Sequence, residues 1–208
     1  MISFAFAIVV ARLIGPNGVG AYYFAVVVIG WFEIVMNFGL NTYLTREVSR
    51  DRAHASAYFF HTTALRLMLA AAVAPVLLIV LALGQRSGYF SQQVTLAIAI
   101  LGVSQVISSF NTGLSALFYA FERGEVPAAV SVISALATAS IGAVFLLLGW
   151  GVPGLAATSV VVNIVTLTLL LVLARAQLGV RLSLRGDGFH VRTSRLDMLR
   201  DSTPLMLN

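Results

Sequence analysis

The sequence predicts an all-α integral membrane fold, a polytopic bundle of six transmembrane helices with the first one truncated. Three observations lead there. Only 10% of the 208 residues are charged and 59% are hydrophobic, whereas a soluble domain carries about 25% charged residues. So little charge cannot coat a water-facing globule. Five apolar runs reach the length of about 20 residues that crosses a bilayer. Chain breakers and arginines fall between those runs. In lipid each backbone group must be satisfied within its own element, so the runs are helices.

The elements follow in order. Residues 2–14 are apolar but too short to span. They lack a basic flank, and no cleavage site precedes Arg12, so they read as the second half of a clipped helix rather than a signal peptide. Gly15-Pro16-Asn17-Gly18 reads as a tight turn between two antiparallel helices. Residues 19–40 form the second helix and 58–83 the third. "GQRSGYFS" precedes a fourth over 92–119, "ERGEVP" a fifth over 126–149 and "GWGVPG" a sixth over 153–174. These make one six-helix unit over 1–176. Residues 177–208 form a basic connector in which Ser194 and Asp197 can cap a short amphipathic lead-in. It turns apolar at Pro204, as a seventh helix would begin. The chain thus reads as a piece of a longer protein.

There is no cysteine and no lysine; all thirteen basic residues are arginine. Disulfides and thiolate metal sites are excluded. The loop after the second helix holds Arg46, Arg50 and Arg52, and the loop after the fourth holds Arg123. The segment after the sixth holds Arg175, Arg181, Arg185, Arg192, Arg195 and Arg200. The alternate loops hold only Arg12 and Arg86. That asymmetry places the arginine-rich loops in the cytoplasm and the Gly15 turn outside. It also explains the high isoelectric point without nucleic acid as a partner.

Two motifs carry a resemblance. "ARLIGPNGVGAYYFA" (11–25) and "NFGLNTYLTREVSR" (37–50) resemble the oligosaccharide flippases of the polysaccharide biosynthesis family. Those belong to the superfamily of multidrug-and-toxin extruders and the lipid II flippase. The family pattern, A-R-hydrophobic-hydrophobic-G-P-x-x-[FY]-G, then D-x-G-hydrophobic, then R-E, fits Ala11, Arg12, Gly15, Pro16, Gly20, Gly39, Arg46 and Glu47. "TTALRLMLAA", "GVPGLAAT" and "LRDSTPLML" are softer matches to the family's third, sixth and seventh helices. Asn37 stands where the family has Asp, which removes a charge. Val19 stands where an aromatic is usual.

The resemblance implies a lobe like that of the extruders and alternating access between two six-helix lobes, of which this chain holds the N-terminal one. The cargo it implies is a polyprenyl-pyrophosphate-linked oligosaccharide. The implied partners are membrane lipid, that lipid-linked oligosaccharide, a missing C-terminal lobe and glycosyltransferases or a polymerase of the same pathway. The implied location is a bacterial or archaeal cytoplasmic membrane.

Several residues are candidates for the work. Arginine suits pyrophosphate through its planar, permanently charged fork. Arg66 lies inside the third run with Thr62 and Thr63 one turn earlier; it either faces a wet cavity or snorkels to the cytoplasmic interface. Arg12 holds pyrophosphate near the exit or anchors a helix end, and Arg46 meets it at entrance or serves topology and headgroup contacts. Glu33, Asn37 and Asn41 fall on one stripe of the second helix. Glu33 either pairs with Arg66 or Arg12, or couples transport to protons or sodium. Ser104, Ser108, Asn111 and Ser115 share a face, as do Ser159, Asn163 and Thr166. Both faces fit a wet cavity or close helix packing, and the Asn111 stripe leans to the cavity. The Ser131, Ser134, Thr138 and Gly142 face reads as packing.

An enzyme is not expected. His54, His61 and His190 have no metal spacing, no nucleophile elbow or phosphate loop is present, and no cofactor is implied. Glu122 and Glu125 read as carboxylates offsetting Arg123 in a turn. Two other functions stay open, a drug or metabolite exporter of the same superfamily and a non-transporting scaffold of a glycan-assembly complex.

Overall fold

The computed structural model describes residues 2–178. Its elements are α1 (Ile2–Asn37), α2 (Leu40–Arg50), α3 (Ala55–Arg86), α4 (Gln92–Ala120), α5 (Glu125–Leu147) and α6 (Gly151–Leu178), with a short 3-10 turn at Arg52–His54. Five stretches are long and apolar enough to cross a membrane: Val10–Arg50, Arg52–Arg86, Gln92–Ala120, Glu125–Leu147 and Gly151–Leu178. This is a multi-pass, all-helical membrane protein. Residues 2–14 are helical, but about 20 Å of helix falls short of a hydrocarbon core of about 30 Å. Apart from Gln177 and Leu178, which end α6, the connector expected over 177–208, with Ser194, Asp197 and Pro204, lies outside the described residues.

The break expected between two helices is present at Gly15, and the first departure from expectation is its form. There is no four-residue loop. Helical structure runs through Ile2–Asn37 except at Gly15, whose φ of 70° and ψ of 174° are non-helical. Glycine alone takes that conformation without a Cβ penalty. Pro16 then starts the next segment, where its missing N–H costs nothing. Val10 and Ile14 before the bend pack in one cluster with Val19 and Tyr22 after it, against Leu146 and Leu155.

The second departure is a break inside the expected 19–40 helix. Asn37 ends α1, Phe38 and Gly39 take positive φ of 29° and 71°, and α2 starts at Leu40. Leu40, Tyr43, Leu44 and Val48 form its buried stripe, the spacing of an amphipathic helix. Asn41 therefore belongs to a different helix from Glu33 and Asn37, and the three do not share a stripe.

Helix α4 contacts every other helix and its core falls into three zones. Near the Gly15 end, Val94, Ala97, Ile98 and Leu101 pack with Ala25 and Ile29 of α1, Leu81 of α3 and Val152 and Ala156 of α6. Near the arginine-rich end, Leu114, Leu117 and Phe118 pack with Leu44 and Val48 of α2, Phe59 of α3, Val126 of α5 and Leu170 of α6. Between the two lies a polar belt in which Ser104, Ser109 and Asn111 are buried. Leu67, Met68, Val76, Leu78, Ile79 and Leu83 of α3 are exposed, as a lipid-facing helix requires.

Candidate functional site

The polar belt is built around Arg66, the largest fully buried side chain, at 1% exposure. It lies twenty residues before Arg86, about 30 Å along α3. It does not snorkel to solvent. Its Nη1 donates to the Ser109 carbonyl (2.6 Å) and to Thr112 Oγ1 (3.3 Å), and its Nη2 donates to Asn41 Oδ1. Its Nε–H is buried with no partner. All three acceptors are neutral, and no carboxylate pairs with Arg66 among the described residues. The expected pairing of Glu33 with Arg66 or Arg12 does not form; Glu33 Oε1 instead accepts from Asn37 Nδ2 at 3.4 Å.

Local structure accounts for the placement. The Phe38–Gly39 break swings α2 so that Asn41 meets α3. Gly113 leaves room for the guanidinium: a Cβ there would stand 2.9 Å from Arg66 Nη1 and 3.1 Å from a ring carbon of Phe59. Asn41 and Thr112 also line a pocket of about 550 Å³, together with Thr42, Thr45, Ser115 and Tyr119. Arg66 itself is one layer behind that wall. In this conformation its charge acts on the pocket through the Asn41 amide and the Thr112 hydroxyl.

Asn111 is not part of this wall. It turns to α6, where its Nδ2 donates to the Asn163 carbonyl (3.1 Å) and to Asn163 Oδ1 (2.9 Å). Asn163 Nδ2 then donates to Ser104 Oγ at 2.9 Å. Asn111 acts here as an interhelical clamp, because adjacent α4 residues point about 100° apart, so that Thr112 faces α2 and α3 while Asn111 faces α6. The stripe is divided: Ser115 lines the first pocket, and Ser104 lines a second of about 260 Å³ with Tyr22, Glu33, Gln105, Ser159 and Asn163. On α5, Ser134 bonds Thr166 of α6 at 2.7 Å and Gly142 is buried, so these two pack, whereas Ser131 is exposed and bonds the Ala128 carbonyl of its own helix.

The remaining candidates stand apart. Arg12 is exposed just before the Gly15 bend, at the opposite end from Arg66. Arg46 is exposed on α2 and bonds Glu47 at 2.9 Å. Glu122 pairs with Arg52 at 2.7 Å rather than offsetting Arg123, which bonds Gln177 at 3.2 Å. Arg52 also lies 5.5 Å from the Phe121 ring centroid. Ser49 Oγ and Thr45 Oγ1 reach the carbonyls of Ala120 and Ala116, so α2 is tied to the end of α4. No group of three metal-ligating side chains occurs among the described residues.

Long apolar helices around a buried charge and two polar pockets define a multi-pass membrane protein with a hydrophilic interior. The chain belongs to the polysaccharide biosynthesis protein family, which it matches over residues 1–208. Comparison with curated proteins and with solved structures finds no match.

Proposed function

We propose that this chain moves a lipid-linked oligosaccharide across the membrane as one lobe of a two-lobe flippase, with its arginine-rich end in the cytoplasm. The positive-inside asymmetry supports the orientation, and the family supports a role in polysaccharide biosynthesis. The observation that carries the proposal is Arg66, a buried guanidinium with only neutral partners among the described residues, directly behind a polar pocket. As a helix clamp a neutral amide would serve at lower desolvation cost. As a fixed positive charge next to a polar pocket, it lowers the cost of bringing a pyrophosphate out of water. The chain acts as a transporter, not an enzyme.

The test is polymer export in the native host lacking its own copy. Arg66→Gln keeps a neutral amide donor of shorter reach but removes the charge; Arg66→Lys keeps the charge. Export is expected to be lost with Gln and partly kept with Lys, both proteins reaching the membrane in normal amounts. Full export by Arg66→Gln sinks the role given to Arg66.

A further inference from the structure

We infer that the second pocket, the one at Glu33, binds a neutral polyhydroxyl group, namely a sugar ring of the carried glycan; this rests on the transport reading above. Five of its polar groups are neutral, from Tyr22, Ser104, Gln105, Ser159 and Asn163, and the sixth is the Glu33 carboxylate. No cation lines it. A phosphate entering would meet a like charge with no counter-charge, in a low-dielectric setting where repulsion is strong.

A metal ion fits no better. Ions draw their oxygen ligands in to about 2.5 Å, whereas this pocket encloses about 260 Å³, room for several waters at roughly 30 Å³ each. A pyranose has a hydroxyl edge and a C–H face. The pocket offers hydrogen-bonding groups beside the apolar surface of Val26, Ile29 and Leu101.

The free valences point the same way. Among the described residues Glu33 is engaged by the 3.4 Å bond from Asn37 alone, which leaves most of its acceptor capacity open to hydroxyl donors. Ser104 accepts from Asn163 and keeps its own proton to donate. Gly30 lines the pocket, and a Cβ there would meet nothing within 4 Å, so the bare backbone leaves space for a ligand. Ser104 lies about 12 Å along α4 from Thr112 in the wall of the first pocket. A pyrophosphate held near Arg66 would therefore leave the outer sugars of a short glycan within reach of Glu33.

The experiment uses the full chain in lipid nanodiscs. Saturation-transfer NMR reads binding of glucose, galactose and N-acetylglucosamine, and phosphorus line broadening reads binding of inorganic pyrophosphate. At least one sugar should show transfer to the wild type. Gly30→Leu, which fills the pocket without touching its polar groups, should weaken that binding at least tenfold, about 1.4 kcal/mol. Gln105→Leu, on another helix, should weaken it too and serves if Gly30→Leu does not fold. Glu33→Gln, still a hydrogen-bonding group, should stay within roughly tenfold of wild type, with no dependence on sodium.

No transfer from any of the three sugars overturns the assignment. So does equal transfer to folded Gly30→Leu and Gln105→Leu proteins, and so does sodium that competes with the sugar and loses its effect in Glu33→Gln, which would make the pocket an ion site. Pyrophosphate separates the two proposals. If pyrophosphate broadens in an Arg66-dependent way and no sugar binds, the sugar site fails while the transport reading stands. If a sugar binds and pyrophosphate does not, the site stands and the role of Arg66 fails.

Discussion

Gly113 gives the sharpest test of the buried arginine. Ordinarily Gly→Ala inside a helix stabilises by about 1 kcal/mol through propensity alone. Here the added Cβ would lie 2.9 Å from Arg66 Nη1, closer than carbon and nitrogen tolerate. The guanidinium must then withdraw from Ser109 and Thr112, which hold it at 2.6 and 3.3 Å. Losing one charged hydrogen bond costs about 1.5–3 kcal/mol. Gly113→Ala in the native background is therefore expected to destabilise by about 0.5–2 kcal/mol once the propensity gain is offset.

Arg66→Met removes the obstacle while keeping an unbranched apolar stem. Ser109 remains satisfied in that variant, because Thr112 Oγ1 donates to its carbonyl at 3.0 Å. In the Met background Gly113→Ala should be neutral or stabilising by up to about 1 kcal/mol. The Phe59 contact at 3.1 Å is common to both backgrounds and cancels in the cycle. Unfolding midpoints of the four proteins, titrated with denaturing detergent, give the coupling energy. It should reach about 1.5–3 kcal/mol, the upper half of the range for residues in contact. A coupling below about 0.5 kcal/mol, or the same sign of effect in both backgrounds, would refute the packing of Arg66 against Gly113.

Two further outcomes follow from the loop and the clamp. Glu122 holds a left-handed φ of 61°, which costs a residue with a Cβ about 1–2 kcal/mol. Glu122→Gly and Glu122→Ala both delete the pair with Arg52, but only Gly relieves the backbone, so its unfolding midpoint should be the higher by about 1 kcal/mol; equal midpoints speak against the strained turn. Asn163→Ala removes the bonds to Ser104 and to the Asn111 side chain while leaving the Asn163 carbonyl for Asn111. Interhelical bonds of this kind in membrane proteins average about 0.6 kcal/mol, so the loss should be about 1 kcal/mol and should separate α6 from α4 in hydrogen exchange; no change in either refutes the clamp.

The helices after the first were legible because apolar length and breakers fix them independently of tertiary contacts. The expected 92–119 run is α4 (Gln92–Ala120) within a residue at its end. The stretch around Asn37 was harder. Apolar content continues through Val35, Met36, Phe38 and Leu40, and hydropathy does not register a change of φ sign at two residues. The spacing of Leu40, Tyr43, Leu44 and Val48 was the available signal for α2. Partner choice was the least legible feature. Asn111 and Thr112 are neighbours in sequence, yet one faces α6 and the other faces Arg66, and only the arrangement of helices around α4 decides which. The Glu33–Arg66 pairing was reasonable on charge, but Glu33 lines the second pocket while Arg66 is buried behind the wall of the first, and charge alone carries no information about where a side chain is placed.

On the transport reading proposed above, that separation bears on what the chain would carry. A buried arginine paired with Glu33 would be electrically silent, and such a lobe would offer its interior to neutral cargo only. Here the positive charge stands behind one pocket and the negative charge lines another, about 12 Å further along α4 by the rise from Thr112 to Ser104. A small cationic drug is favoured at Glu33 and disfavoured beside Arg66; a bare phosphate has the reverse preference. A single ligand complementary to both is extended, anionic at one end and carrying either a cation or hydroxyl donors for Glu33 at the other. Among the cargoes compatible with a polysaccharide biosynthesis protein, we infer that a glycan attached to a pyrophosphate is the one whose own charge distribution matches that division.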